Sequence, residues 1–244
     1  MVRLSVNVNK VATLRNARGG NLPSVVEAAR TAVEAGAHGI TVHPRPDERH
    51  IRRRDVLDLA AVTTDLGVEF NIEGYPSAEF LDLILQVLPA QCTLVPDPPG
   101  VLTSNAGWQL GQAEWLRPVL DRLRAAGVRS SLFLDTELDE VRRARELGAD
   151  CLELYTERYA RCYSGPERQP VFGDYRKAAQ AAVNLGLGVN AGHDLNLENL
   201  PLMARELPGL QEVSIGHALI ADALYMGLRA AVKAYLAALE PKGQ

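Results

Sequence analysis

The feature that most constrains this chain is an alternation of short β-rich runs with longer amphipathic runs, repeated eight times along 244 residues. Roughly 30 residues separate most successive β-rich runs, which is the length of a strand, a crossover helix and their loops. This order is typical of a parallel sheet covered by helices, and it argues against all-α and all-β architectures. The predicted strands are residues 4–9, 39–44, 69–75, 91–97, 129–135, 151–157, 187–193 and 210–217.

The runs between the strands carry helix signals. In residues 135–150, Leu138, Val141 and Leu147 share one helical face, and Gly148 can end the helix. Eight right-handed crossovers favour closure into an α/β fold, a (β/α)8 TIM barrel. An open doubly wound sheet is the alternative, although the GxGxxG motif usual after its first strand is missing.

Two loops exceed the minimal barrel plan, at residues 10–23 and 98–112, and they predict extra helical segments in the βα loops on the face where barrel active sites lie. The apolar run at residues 218–240 predicts the last barrel helix, with excess length that suits subunit packing. No linker or low-complexity tract divides the chain, so residues 1–244 are predicted to be a single barrel domain.

Charge and cysteine content restrict the partners and the compartment. A net charge of −4 gives no general attraction to nucleic acid or to an anionic membrane, so an anionic ligand must be held locally. Cys92, Cys151 and Cys162 are an odd number without a CxxC pair, which favours a reducing compartment. No signal-peptide core and no run of 18 apolar residues is present, so we expect a cytoplasmic protein.

Polar residues gather at the predicted strand ends, and these ends meet at one mouth in a barrel. This convergence predicts an enzyme. The residues are Asn7 and Asn9 on the first strand, His43 on the second, Glu73 on the third, His193 on the seventh and His217 on the eighth. The fifth histidine, His38, precedes the second strand and is expected at the opposite end.

His43 and Glu73 are the candidates for proton transfer. An imidazole both takes and gives a proton near neutral pH, and burial at the end of an apolar strand raises a carboxyl pKa toward the range of a general base. The alternatives are a solvated loop histidine and a buried carboxylate that pairs with an arginine. A metal site is not predicted, because HxH and HExxH spacings are missing.

Two anion sites are predicted on the same face. NAGHDL and SIGHAL, after the seventh and eighth strands, are expected to run directly into helices whose first N–H groups bind a phosphate. A second site draws on Arg18, Arg45, His50 and Thr103. The basic run of Arg49, Arg52, Arg53 and Arg54 predicts a solvated helix start. Because nucleophile motifs are also missing, proton shuttling between phosphorylated carbonyl compounds remains.

The chain resembles the pyridoxine 5′-phosphate synthase family over essentially its whole length. The resemblance lies in VNVNKVATLRNARG, GITVHPRPDERHI, FNIEG, TLVPD, VNAGH and SIGHALI, in that order. It implies condensation of 3-amino-2-oxopropyl phosphate with 1-deoxy-D-xylulose 5-phosphate, giving pyridoxine 5′-phosphate, phosphate and water without a metal or an organic cofactor. It also implies a homo-octamer.

The resemblance assigns roles to the motif residues. It makes His43 and Glu73 proton acceptors and His193 the proton donor. The aminoketone phosphate would contact Asn7, Arg18, Gly216 and His217, and the deoxyxylulose phosphate would contact Arg45, His50 and Thr103.

Three motifs depart from the family pattern. Asn9 and Lys10 stand where Asp-His is common, Asp194 replaces a glycine, and Glu153–Glu157 replaces EIHTG with Tyr155 in place of the histidine. Asn9 can still hydrogen-bond a hydroxyl or carbonyl, and Lys10 can still meet an anion. Asp194 would repel a phosphate unless only its backbone N–H faces the ligand. Another phosphosugar isomerase or aldolase, or a non-catalytic phosphate-ligand sensor, therefore stays open as an alternative.

Overall fold

The structure is a computed structural model that describes residues 1–97 and 106–240. Its strands are β1 (Arg3–Asn7), β2 (Gly39–Val42), β3 (Glu69–Gly74), β4 (Gln91–Leu94), β5 (Arg129–Leu134), β6 (Cys151–Tyr155), β7 (Gly188–His193) and β8 (Leu210–Ile215). Its helices are α1 (Asn9–Arg18), α2 (Val25–Glu34), α3 (Arg53–Leu66), α4 (Ala78–Val87), α5 (Leu116–Ala125), α6 (Leu138–Leu147), α7 (Glu157–Cys162), α8 (Arg168–Asn184), α9 (Leu200–Glu206), α10 (His217–Met226) and α11 (Leu228–Leu239).

The eight strands form a closed parallel barrel in chain order, in which β8 pairs with β1. The predicted (β/α)8 barrel is confirmed, and the open doubly wound alternative is wrong. Each strand begins within one residue of its predicted start, and most end one to three residues earlier than predicted. Asn7, Glu73 and His193 remain on their strands. Asn9, His43 and His217 follow the ends of β1, β2 and β8 and lie in the segments around the barrel mouth.

Extra helices lie in three of the βα connections. The prediction for residues 10–23 is confirmed by α1, whereas residues 98–105 of the second predicted segment lie outside the described residues, and Leu110–Gln112 form a short 3-10 helix. The helix α7 was not predicted. The single last helix was wrong, because Gly227 has a left-handed φ of 80° and separates α10 from α11.

The apolar core lies between the strands and the helices, while the barrel lumen is polar. The Nδ2 of Asn190 on β7 donates to Oε1 of Gln91 on β4 over 3.3 Å, and these strands face each other across the lumen. Ser5 and Thr41 join their hydroxyls at 2.7 Å. Branched aliphatic side chains usually fill such a barrel, so this lumen departs from the common pattern.

Charged side chains close the end of the barrel where the strands begin. Arg3 and Arg129 both bind the carboxylate of Glu69, and Arg3 also lies 3.7 Å from Glu212. Burial favours the neutral acid, but the two arginines outweigh it and lower the pKa of Glu69. His38 accepts from the backbone N–H of Leu4 at this end, as its position predicts.

No described helix, in residues 1–97 or 106–240, has both the length and the hydropathy needed to cross a membrane.

Leu152→Ala tests the packing between β6 and its helices. Leu152 is fully buried beside Glu153, so removing its side chain should lower the free energy of unfolding by about 2–5 kcal/mol. Leu138→Ala is the control, because Leu138 is 37% exposed. Urea denaturation measures both variants, and equal effects would contradict the assigned core.

Candidate active site

A cavity of about 570 Å³ opens at the carboxyl ends of the strands. Eleven of the thirteen residues predicted for the site line it: Asn7, Asn9, Lys10, His43, Arg45, His50, Glu73, His193, Asp194, Gly216 and His217. These residues come from both ends of the chain, and barrel closure brings them together. The four histidines predicted to share one site do share one cavity.

Arg18 and Thr103 complete the predicted set. Arg18 is exposed at the last turn of α1 and is not among the lining residues. It lies nine residues beyond Asn9, about 13 Å along the helix axis, so only the first turns of α1 reach the cavity. Thr103 lies outside the described residues.

His43 and Glu73 form the centre of the site. Glu73 on β3 is 3% exposed, and its Oε2 lies 3.8 Å from Nδ1 of His43 at the end of β2. Gly74 follows Glu73, and a Cβ there would come within 2.3 Å of the Phe80 ring. Glycine at this position therefore lets α4 pack closely against the end of β3.

The pKa values of these groups move in opposite directions. Burial, followed by the nearby carboxylate of Glu153, raises the pKa of Glu73 to about 8. Burial also lowers the pKa of His43 well below its ordinary value, and the positive charges of Arg45 and His50 add to this effect. Glu73 therefore exchanges its proton near neutral pH, whereas His43 is neutral there.

His193 has the opposite electrostatic setting. Burial alone would lower its pKa, but Glu153 and Glu73 outweigh burial and raise it. Its Nδ1 lies 3.8 Å from Oε1 of Glu153, and that oxygen has no hydrogen-bond partner among the described residues. His193 is thus the imidazole in this cavity that is best suited to give a proton.

Aromatic packing holds the ring of His193. Its centroid lies 4.6 Å from that of Phe133 and 5.4 Å from that of Tyr155. His193 also has a left-handed φ of 85°, which is uncommon for a residue other than glycine. Strained backbone of this kind is concentrated at functional sites.

One candidate anion site lies at the start of α10. Gly216 is the N-cap and His217 the first residue of this helix, and both line the cavity. A side chain at position 216 would lie 3.1 Å from Asn7, so glycine permits close approach. The free N–H groups of a helix start attract an anion.

Asn9 contributes to the site through its side chain. Its Oδ1 accepts from the backbone N–H of His43.

The loop after β7 does not match its prediction. It does not run directly into a helix, because α9 begins only at Leu200. The backbone N–H of Asp194 donates to Oγ1 of Thr156 at 3.2 Å, and Asn199 donates to the carbonyl of Asp194. The backbone N–H predicted to face a phosphate thus already has a partner, while the exposed Asp194 side chain lines the cavity.

A second candidate anion site lies along the β2–α3 loop. Arg45, Arg49, His50 and Lys10 line this side of the cavity. Arg45 is 7% exposed and pairs with Asp97 at 3.0 Å. Burial and the surrounding cations lower the pKa of His50 to about 4.

The solvated helix start predicted for Arg49 is wrong. The helix α3 begins only at Arg53, and Arg49 belongs to the β2–α3 loop, where it lines the cavity.

Six residues of the site were not predicted. Thr13, Arg49, Tyr155, Glu157 and Ser214 line the cavity, and Glu153 lies beneath His193. Strand alternation could have found Glu153, because it is two residues before Tyr155 on the same face of β6. In residues 1–97 and 106–240, no three His, Cys, Asp or Glu side chains are placed to hold a metal ion.

The cavity places groups suited to proton transfer beside the two candidate anion sites. His43 is a neutral imidazole, and Glu73 is a carboxyl group with a pKa of about 8. Both share the cavity with His193, an imidazole with a raised pKa. Paired groups with opposed pKa values support acid–base catalysis. The site therefore suits carbonyl chemistry on phosphorylated compounds.

Solved structures with the same fold are distant in sequence. Tryptophan synthase from M. tuberculosis aligns with a TM-score of 0.69 at 14% identity, over 98% of this chain and 93% of that one. Thiamine phosphate pyrophosphorylase from Pyrococcus furiosus aligns with a TM-score of 0.61 at 17% identity, over 98% and 95%. These similarities support the barrel fold alone.

Sequence relatives are much closer. A pyridoxine 5′-phosphate synthase from Parabacteroides distasonis is 52% identical over 98% of this chain and 99% of its own length. One from Porphyromonas gingivalis is 55% identical over 96% and 98%. The family model described as pyridoxal phosphate biosynthesis protein PdxJ matches residues 4–241. With a match across nearly its whole length and relatives at this identity, the chain belongs to the PdxJ family.

Proposed function

We propose that this chain condenses 3-amino-2-oxopropyl phosphate with 1-deoxy-D-xylulose 5-phosphate to form pyridoxine 5′-phosphate, with release of phosphate and water. The observation that carries the proposal is that His43, Glu73 and His193 line the same cavity as the residues of the two candidate anion sites. Both substrates carry a phosphate. Amine attack on a ketone, loss of water, elimination of phosphate and ring closure each require proton transfer, which one residue alone would serve poorly.

We assign proton acceptance to His43 and Glu73. His43 is neutral, and Glu73 becomes a carboxylate as the pH rises through about 8. Both are nearly excluded from water, so a charge that forms on the substrate is poorly screened and interacts strongly with them. This setting supports removal of protons from the carbon and nitrogen atoms of the substrates.

We assign proton donation to His193. Glu153 and Glu73 favour its protonated form, and a leaving hydroxyl or phosphate needs a proton from such a group. Holding both substrates in one cavity supplies the rest of the catalysis, because reaction between bound partners avoids much of the entropy cost of their encounter.

Each of the two candidate anion sites is proposed to bind the phosphate of one substrate. We assign the aminoketone phosphate to Asn7, Gly216 and His217, and the deoxyxylulose phosphate to Arg45 and His50, with Thr103 as a further contact. Asn9 and Lys10 lie between these groups on the first turn of α1 and are proposed to bind the substrates. Asp194 lines the cavity through its side chain, where its charge would disfavour a neighbouring phosphate.

We further propose that the chain works as a homo-oligomer, an octamer by family resemblance. Leu14 of α1 is 54% exposed, and Leu224 and Tyr225 of α10 are 70% and 93% exposed. The helices α1 and α10 contact each other, and exposed apolar side chains on neighbouring helices favour association. Arg18 lies on α1 as well, and we propose that it contacts the aminoketone phosphate only in the assembled oligomer.

We regard residues 1–244 as one catalytic barrel that works in the cytoplasm. Its three cysteines are free, which supports a reducing compartment.

The proposed reaction is tested by supplying purified protein with both substrates. Pyridoxine 5′-phosphate and phosphate should form in equal amounts, and omission of either substrate should abolish both. Glu73→Gln should reduce kcat by about 100-fold or more, since it removes an acid–base group. Circular dichroism should show an intact fold. Product formation by Glu73→Gln at the wild-type rate would contradict the role of Glu73.

The pH profile tests the tuning of the site. Glu73 must be ionised to accept a proton and its pKa is raised to about 8, so kcat/KM should fall as the pH decreases through about 8. Glu153→Gln removes a negative charge that raises the pKa of both Glu73 and His193. Both limbs of the profile should therefore move to lower pH, and an acid limb that stays in place would contradict this coupling.

Light scattering tests the oligomer. The double variant Leu224→Asp, Tyr225→Asp should form smaller particles than the wild type, because two charges would be buried at the contact. Leu138→Asp is the matched control on an exposed leucine of α6. Wild-type mass in the double variant would show that this surface is not the contact.

A further inference from the structure

A cluster of charged and amide side chains behind the cavity holds the loop that carries His50. Arg15 on α1 is only 4% exposed, and it is not among the lining residues of the cavity. The LRNAR segment that contains it is one of the motifs of the family resemblance, yet the proposed reaction gives Arg15 no role. A buried arginine is costly unless its donors are used, so its partners indicate what it does.

The first partner of Arg15 is Asp55 in the first turn of α3. Nη1 and Nη2 of Arg15 donate to the two carboxylate oxygens at 2.6 and 2.9 Å. This is the bidentate geometry in which arginine differs from lysine. Asp55 also accepts from the backbone N–H of Arg52 at 2.7 Å. The pair therefore fixes the start of α3 against α1.

The second partner is the backbone of the β2–α3 loop. Nη2 of Arg15 donates to the carbonyl of His50 at 3.0 Å, and Nδ2 of Asn16 donates to the same carbonyl at 2.9 Å. Asn16 also donates to the carbonyl of Glu48 at 3.1 Å. A bridge between Pro44 and Ile51 joins the two ends of this loop. The backbone at His50 is thus held from several sides.

The same loop geometry sets the hydrogen position on the His50 ring. The backbone N–H of Ile51 donates to Nδ1 of His50 at 2.9 Å. Nδ1 therefore carries no hydrogen, and the neutral ring carries its hydrogen on Nε2. Since His50 lines the cavity, Nε2–H is the donor available to a ligand.

We propose that Arg15, with Asp55 and Asn16, is a positioning residue that holds the His50 backbone so that Nε2–H of the ring is presented to the phosphate of a substrate. This inference rests on the proposed function, because it takes the phosphate role of His50 from it. Lysine at position 15 keeps the charge, but it cannot bind Asp55 with a fork and donate to the His50 carbonyl in the same geometry.

The test is a double-mutant cycle on binding of 1-deoxy-D-xylulose 5-phosphate, measured by calorimetry. Arg15→Lys and His50→Ala should each weaken binding by about tenfold, a factor that corresponds to one oriented hydrogen bond. In the His50→Ala background, Arg15→Lys should have less than about twofold further effect, because the group that it positions has gone. A full additional tenfold loss would overturn the inference.

The steady-state constants separate positioning from general damage. Arg15→Lys should raise KM for 1-deoxy-D-xylulose 5-phosphate and leave KM for 3-amino-2-oxopropyl phosphate within about twofold. Arg143→Lys is the matched control, because Arg143 is likewise an ion-paired arginine, bound to Glu114 and Glu146, and is not among the lining residues of the cavity. Equal increases of both KM values in Arg15→Lys would contradict a specific role.

The tautomer of His50 gives a readout that does not depend on catalysis. In ¹⁵N-histidine NMR spectra of the full chain, wild type should show an unprotonated Nδ1 at His50, and Arg15→Lys should show a mixture of tautomers. Asn16→Ala should shift the signal in the same direction and replaces Arg15→Lys if that variant does not fold. An unchanged tautomer in the folded variants would overturn the inference.

The binding data also separate this inference from the assignment on which it rests. If His50→Ala binds 1-deoxy-D-xylulose 5-phosphate like the wild type, the phosphate role of His50 is wrong and the inference is overturned with it. If His50→Ala weakens binding and Arg15→Lys acts additively, only the positioning role is wrong.

Discussion

Glu73 sits at the inner end of the cavity, 3% exposed, where water cannot stabilise its charge. The carboxylate of Glu153 on β6 adds a nearby negative charge. Burial and this charge together raise the pKa of Glu73. The other acid–base groups depend on this pair. Glu153 and Glu73 favour the protonated form of His193, while burial, with the charges of Arg45 and His50, lowers the pKa of His43 and keeps it neutral. The pKa values of two imidazoles in one cavity thereby shift in opposite directions.

The barrel fold can accommodate these buried polar groups without losing its apolar core. Its apolar core lies outside the strands, so stability does not require an aliphatic lumen, and polar side chains can continue from the mouth into the interior. The Thr93 hydroxyl donates to Oδ1 of Asn71 there and accepts from Nε2 of Gln91. At the far end, Arg3 and Arg129 bind Glu69 and close the lumen with ion pairs. The far end of the lumen is thus closed by ion pairs, whereas the candidate acid–base groups lie at the mouth.

Sequence patterns predicted most of the fold because the barrel repeats a local unit eight times. Strand ends also predicted that His43, Glu73 and His193 share one cavity, since parallel strands of a barrel must converge. The patterns failed where a contact depends on tertiary packing. Nothing local distinguishes Arg18, which is exposed, from Arg15, which is buried in an ion pair with Asp55. Glu153 was not predicted because it lies two residues before the end of β6, below the mouth. Alternation along β6 nevertheless indicates that it points to the same face as Tyr155.

The departures from the family motifs are local in their effects. Asn9 accepts from the N–H of His43 through an oxygen that an aspartate would also supply. Tyr155 packs its ring against His193 and Phe133, so it supports the His193 imidazole from the side. Asp194 has its backbone N–H bound to Thr156. The cavity thus keeps its acid–base centre while its rim differs in charge.

The central claim is that Glu73 holds its proton up to about pH 8 because it is buried beside Glu153. A direct measurement is the pH titration of the Glu73 carboxyl group by isotope-edited infrared spectroscopy of the full chain, with Glu73→Gln used to identify the band. A transition near pH 8 is expected. A transition near pH 4.5, the ordinary value for a glutamate, would contradict the account.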